Sequence, residues 1–216
     1  ARGLGCALYA FDDNRQPVVD SLGEMVITKP MPSMPVFFWN DPGKKKYHSS
    51  YFEDIPGVWR HGDWVRITHD GGIVIYGRSD ATLNRQGIRI GTAEIYRVLN
   101  EIPEIEDGLI VNLELEGGRH YMPLFVKLRN GLVLDKGLIA TIARALKSKC
   151  SPRHVPDEVI QVTDIPYTIS GKKMEAPVKK ILMGMEADSA LNKDAMRNPE
   201  SLQFFKLFKV PQEKDN

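Results

Sequence analysis

Three polar constellations in this chain have the residue types and spacing to do chemistry. Asp63 and Arg78 flank a candidate hairpin, in which residues 64–68 and 73–77 are largely apolar and surround His69-Asp70-Gly71-Gly72. Asp-Gly is a strong signal for a two-residue turn. With Asp70-Gly71 at its centre, Val65 faces Tyr76, Ile67 faces Val74 and Asp63 lands opposite Arg78; a Gly71-Gly72 centre slips the pairing by two residues. A carboxylate accepts from two neighbouring hydroxyls at once, and a guanidinium supplies donors in a fixed fork. An ordinary cross-strand surface ion pair is the other reading. Lys172 closes Pro166-Tyr167-Thr168-Ile169-Ser170-Gly171-Lys172. An ammonium on a Gly-containing loop can meet negative charge; on composition alone it reads as one of four solvated lysines, with Lys173, Lys179 and Lys180. Arg144, Lys147, Lys149, Arg153 and His154 form a basic cluster that could hold phosphates or be a solvated helix end.

The elements that must position these groups change character near residue 80. Before it, residues 5–11, 24–28 and 36–39 are short β-branched or aromatic runs separated by Asp-Asn, Pro-Ser and Asp-Pro-Gly turn signals, which predict a small β subdomain. After it, Thr92 reads as the N-cap of a helix carrying Ile95, Val98, Leu99 and Ile102. Residues 109–115 and 120–128 predict a second hairpin about Gly117-Gly118, with Val111 opposite Leu124 and Leu113 opposite Met122. Asp135 can cap a helix bearing Leu138, Ile139, Ile142 and Leu146; residues 157–162 suggest a strand, and 177–183 a short helix stopped by Gly184. Asn198 as N-cap with Pro199 at the first helical position starts a tail helix with Leu202, Phe205 and Phe208, and so apolar a tail must dock on something.

Gly77-Arg78-Ser79-Asp80, followed by Asn84-Arg85-Gln86-Gly87-Ile88-Arg89-Ile90 and Thr92-Ala93-Glu94-Ile95, resembles the signature of the adenylate-forming superfamily at the junction of its large and small domains. Trp59-Arg60-His61-Gly62-Asp63 resembles that superfamily's aromatic-x-Thr-Gly-Asp motif, with His61 where Thr is usual, and residues 166–172 resemble its carboxy-terminal Pro-x-Thr-x-x-Gly-Lys loop. The resemblance implies that Asp63 holds the ribose hydroxyls of ATP with Arg78 beside it, and that Lys172 reaches the acyl carboxylate and α-phosphate. It implies that Asp80 is the hinge of the small domain, with turn capping as a compatible reading of the same residue, and that Gly87 lets backbone line the pantetheine tunnel, where a Cβ would obstruct. Arg89 matches a phosphate-contacting arginine, with a plain surface-strand arginine as the alternative. The implied fold is α+β: residues 1–79 as the β-rich end of the large amino-terminal domain, 80–184 as a small mobile α+β domain and 185–216 as a helical tail.

What the resemblance implies for activity is AMP-forming ligation of an acid to coenzyme A, with Mg²⁺ accompanying ATP and no dedicated metal site here. Ser151-Pro152-Arg153-His154-Val155-Pro156, Ile165-Pro166-Tyr167-Thr168 and the Asn198-Pro199-Glu200-Ser201 tail resemble the branch acting on acetoacetate rather than acetate. Lys173-Met174-Glu175, less basic than in many relatives, agrees with that branch. The superfamily's phosphate loop, adenine pocket and acyl pocket are not found in this sequence. Together with a start at Ala1 rather than Met, this reads as a fragment whose partner is the missing amino-terminal part.

Composition narrows the alternatives. Lys and Arg total 29 against 28 for Asp and Glu, so no broad field recruits nucleic acid or an anionic membrane. Cys6 and Cys150 are far apart and outside any metal or redox spacing, which suits a reduced, cytoplasmic protein. No apolar stretch approaches the ~20 residues of a membrane helix. Another short-chain acyl-CoA synthetase and a non-catalytic interaction module held by the apolar tail stay open as rival readings.

Overall fold

The structure is a computed structural model that describes residues 2–85, 88–186 and 193–211. The chain is α+β and divides into two compact units, Ala1–Asp80 and Ala81–Asn216.

The first unit is an antiparallel sheet of β1 (Leu8–Phe11), β2 (Pro17–Val18), β3 (Leu22–Ile27), β4 (Trp59–Ile67) and β5 (Ile73–Arg78), in the order β2-β1-β3-β4-β5. Ala10, Met25, Val65 and Ile67 form its small core. Helix α1 (Lys45–Tyr51) brings Tyr47 and Tyr51 against Phe38 and Trp59, and the Tyr51 and Trp59 rings stack at 3.8 Å. The strand expected at residues 36–39 does not form. Pro35 offers no N–H to a ladder, Phe38 is drawn into the aromatic cluster, and Val36, Phe37 and Trp39 stay exposed.

The β4–β5 hairpin differs from expectation in an instructive way. Thr68 N–H donates to the Gly72 carbonyl and Gly71 N–H to the Thr68 carbonyl, so the loop holds three residues, 69–71, with Gly71 at φ +82°. Near the turn Ile67 therefore faces Ile73 and Val65 faces Ile75, one residue off the expected pairs. A bulge then inserts Tyr76 on β5, and beyond it Trp64 faces Gly77 and Asp63 faces Arg78 as the sequence predicted. The turn error and the bulge cancel at the residues that matter.

The second unit holds the antiparallel pair β6 (Leu83–Arg85) and β7 (Ile88–Ile90), then α2 (Thr92–Leu99). Its central sheet has the order β12-β11-β8, with β8 (Ile105–Ile110) antiparallel and β12 (Glu158–Gln161) parallel to β11 (Pro123–Leu128). A parallel neighbour needs a crossover, supplied by α3 (Lys136–Lys149). Side-chain alternation sends Ile110, Leu124 and Val126 to one face, packed with Ile95, Leu99, Ile142 and Leu146, and Leu109 and Phe125 to the other. That second face is covered by α4 (Glu175–Leu182) and α5 (Leu202–Leu207), whose Phe205 ring lies 4.9 Å from Phe125. The apolar tail docks here.

The second hairpin, β9 (Leu113–Glu114) with β10 (His120–Tyr121), is also one residue off. Leu113 faces Tyr121 and Ile110 faces Leu124, because Glu116-Gly117-Gly118 forms a three-residue loop with both glycines at positive φ. Asp135 caps α3, accepting from Leu138 N–H at 2.7 Å. Thr92 is buried as the first residue of α2, behind Gly91, and makes no cap. α4 begins at Glu175, two residues before the expected start. Asn198 does not cap the tail with its side chain either; that amide instead ties residues 164–167 to the tail.

Candidate functional site

In the first unit, β4 carries extra residues against β3: Glu24 pairs with Trp64 but Val26 with Arg60, so His61-Gly62-Asp63 forms a bulge. Gly62 sits at φ +85°, and a Cβ there would lie 2.9 Å from the Arg78 guanidinium, so glycine gives Arg78 room to lie over the backbone. Ser79 N–H donates to the Gly62 carbonyl at 3.0 Å and closes the corner.

Asp63 and Arg78 are brought together as cross-strand partners, but the Arg78 fork closes on Asp80 at 3.1 and 3.2 Å. The Asp80 carboxylate holds the guanidinium above its usual pKa, with Asp63 and Glu24 adding to the effect. His61 Nδ1 contacts one Asp63 oxygen, which orients a carboxylate that is 16% exposed. Beneath the corner lies Glu24. It accepts from Gly62 N–H at 3.0 Å and faces Arg60 Nε at 3.4 Å, and burial raises its pKa against the opposing pull of Ser79 and Arg60. Sequence reasoning gave Glu24 and Arg60 no role. The available trace was a lone acid in the apolar run Glu24-Met25-Val26-Ile27 and an arginine inside the Asp63 motif.

In the second unit, Leu83 and Ile90 are buried and fix the β6–β7 pair, while Arg89 is exposed opposite Asn84. Arg85 ties the pair down through the Val155 carbonyl at 2.6 Å and Asp157 at 2.5 Å. Gly87 lies outside the described residues. Of the basic cluster, His154 is committed to Ser151 Oγ at 2.9 Å and Glu94 at 2.8 Å, and Lys149 pairs with Glu101. Arg144, Lys147 and Arg153 are exposed.

Lys172 is exposed at the end of a tight hairpin. Thr168 N–H donates to the Lys172 carbonyl at 2.9 Å, Lys172 N–H to Thr168 Oγ1 at 3.0 Å and Met174 N–H to the Pro166 carbonyl at 3.1 Å. Gly171, at φ +77°, makes the turn. The tail adds a third strand, since Ile169 N–H donates to the Ala195 carbonyl and Arg197 N–H to the Tyr167 carbonyl, both at 2.9 Å. Asn198 accepts from Tyr167 N–H at 2.9 Å and donates to the Ile165 carbonyl at 2.8 Å. The arrangement presents one outward ammonium on a backbone fastened on both sides.

Among the described residues, no group of three His, Cys, Asp or Glu side chains is arranged to hold a metal ion, and no helix is long and apolar enough to cross a membrane.

No protein-family profile matches the chain. It is 45% identical over 203 residues to an acetoacetyl-coenzyme A synthetase of Rhizobium meliloti, which covers 94% of this chain and 31% of that protein. It is 42% identical over 207 residues to an acetoacetyl-CoA synthetase of Rattus norvegicus, covering 95% of this chain and 30% of that protein. The chain thus spans under a third of the length of the curated relatives it matches. Among solved structures, acetoacetyl-CoA synthetase from Streptomyces lividans superposes with a TM-score of 0.88 at 48% identity, over 95% of this chain and 31% of that one. The anthranilate CoA ligase AuaEII, at 20% identity and a TM-score of 0.64 over 79% of this chain and 32% of that one, shares the fold alone.

Proposed function

We propose that this chain supplies the ribose-contacting corner and the adenylating lysine of an AMP-forming acid–thiol ligase, whose acid is acetoacetate and whose thiol is coenzyme A. Acetoacetate would attack the α-phosphate of ATP to give acetoacetyl-AMP and pyrophosphate, and the coenzyme A thiol would then displace AMP. The observation that carries the reading is Lys172, the outward end of a backbone-fastened Gly-Lys hairpin in a chain similar along nearly its whole length to acetoacetyl-CoA synthetases.

Each residue has a part in this reading. Asp63 accepts from the ribose hydroxyls: its carboxylate is acceptor-only, and His61 engages one of its two oxygens. Arg78, held over Gly62 by Asp80, adds donors at the edge of the same corner. Lys172 stabilises charge building between the acyl carboxylate and the α-phosphate. Asp80 is the hinge, Gly87 lines the pantetheine path and Arg89 contacts phosphate. Mg²⁺ arrives with the triphosphate, whose oxygens are its natural ligands. The chain divides functionally into residues 1–79, a mobile unit at 80–184 and a tail at 185–216. Two free cysteines suit a reducing, cytoplasmic setting.

Exposed Phe37 and Trp39 favour a docking role for the first unit, and on this reading the partner is the amino-terminal part of the same enzyme. The purified chain alone is accordingly expected to make no acyl-CoA. In the full-length protein, kcat/KM for acetoacetate is expected to exceed that for acetate. Equal or reversed preference would return the assignment to another short-chain acyl-CoA synthetase.

A further inference from the structure

Lys172 is followed by a second lysine whose surroundings are entirely different. Lys173 Nζ donates to Asp107 Oδ1 at 2.5 Å and to the Gly108 carbonyl at 2.6 Å, and lies 3.9 Å from the centre of the Tyr96 ring. The other oxygen of the same carboxylate, Asp107 Oδ2, accepts from Tyr167 OH at 2.7 Å. Tyr167 and Lys173 are antiparallel bridge partners at the base of the lysine hairpin. One carboxylate on β8 therefore grips both legs of the hairpin at the same rung. Burial and the Asp107 bond push the Tyr167 phenol well above its usual pKa, so it remains a donor to that carboxylate at neutral pH.

In an antiparallel pair, residues on adjacent rungs face opposite sides. With Tyr167 and Lys173 turned inward onto Asp107, Thr168 and Lys172 on the next rung must turn outward. We propose that Asp107, Lys173 and Tyr167 form a clamp that positions Lys172, fixing the direction and reach of its ammonium through the hairpin base. The three are positioning residues, and the proposal rests on the adenylating role of Lys172 argued above. Among the described residues Lys172 is held through its backbone, so its aim depends on how firmly the base is fixed.

Lys173→Met alone leaves the Asp107 charge without its cation, so the decisive variant is Asp107→Asn with Lys173→Met, which removes both charges while keeping similar shapes. Three measurements on the full-length protein are needed. Amide exchange should rise about tenfold or more across residues 166–174 while α3 keeps its protection. The kcat for pyrophosphate release should fall roughly ten- to a hundredfold, as for an ångström-scale misplacement, with KM for ATP within a few-fold. Reaction of supplied acetoacetyl-AMP with coenzyme A should continue near the normal rate. Unchanged exchange at 166–174 overturns the clamp whatever the activity. A loosened loop with undiminished adenylation, or equal losses in both half-reactions, overturns positioning. Normal adenylation by Lys172→Ala overturns the lysine role and positioning together, and is recognised because that variant leaves the clamp residues untouched.

Discussion

The Asp63 corner and the Lys172 hairpin present charged groups by opposite means. Asp63 is held by its own strand: the bulge on β5 sets it opposite Arg78, Gly62 admits Arg78 above it, and half-buried Glu24 braces the backbone from below. Lys172 has an exposed side chain and a fastened backbone, with the neighbouring Lys173 bonded to Asp107. A binding group that serves one ligand pose benefits from a fixed carboxylate. Under the proposed function, a lysine that must arrive for one step and leave for the next suits a rigid hairpin on a separate unit, because the hairpin can be moved whole.

The largest test of that contrast is Lys172→Ala in the full-length protein. Under the proposed function, adenylation should fall roughly a hundredfold or more, comparable with losing an oxyanion donor. Reaction of supplied acetoacetyl-AMP with coenzyme A should persist and the fold survive, since the Lys172 side chain is exposed. Measuring both half-reactions separately checks this, and equal losses would erase the distinction between the two regions. Asp63→Ala should act on binding instead. Deleting a charge-assisted bond costs about 1.5 to 3 kcal/mol, so ATP affinity by calorimetry should weaken while coenzyme A affinity holds. Unchanged ATP binding would make the corner an ordinary surface ion-pair site.

The smallest effect is expected at Glu24, where a linkage argument gives the sign. Burial raises its folded pKa above the usual 4.5, against partial compensation by Ser79 and Arg60. The folded state then binds more protons than the unfolded state between those values, so Glu24 favours folding at low pH and that contribution is lost as pH rises through the raised value. Glu24→Gln keeps an acceptor for Gly62 N–H and should flatten this part of the stability profile. Thermal melts of both proteins across the acidic range would show it; identical slopes would mean that Glu24 is not strained by burial.

The hairpins show where sequence reasoning stops. Asp70-Gly71 and Gly117-Gly118 correctly marked reversals, yet both loops hold three residues, and every expected pair near them was off by one. The opposition of Asp63 to Arg78 was right only because Tyr76 bulges out of β5 and restores the register, and no local pattern announces that bulge. Residues 36–39 had strand composition but Pro35 before them, and their aromatic ring found a cluster instead of a ladder.

What the sequence determined by itself was local chemistry and periodicity: the helical faces of Ile95, Val98 and Leu99, the Asp135 cap, and the motif residues around Asp63, Arg78 and Lys172. Those features depend on residues a few positions apart, where propensity and spacing speak directly. Tertiary structure alone decided that Arg78 closes on Asp80, that Glu24 lies under Gly62, and that Asp107 reaches across 66 positions to anchor Lys173. The last two need partners brought together from distant strands, and although Asp80 is only two positions from Arg78, the choice of Asp80 over the cross-strand Asp63 is set by bulges, glycine clearances and burial that no stretch of sequence encodes on its own.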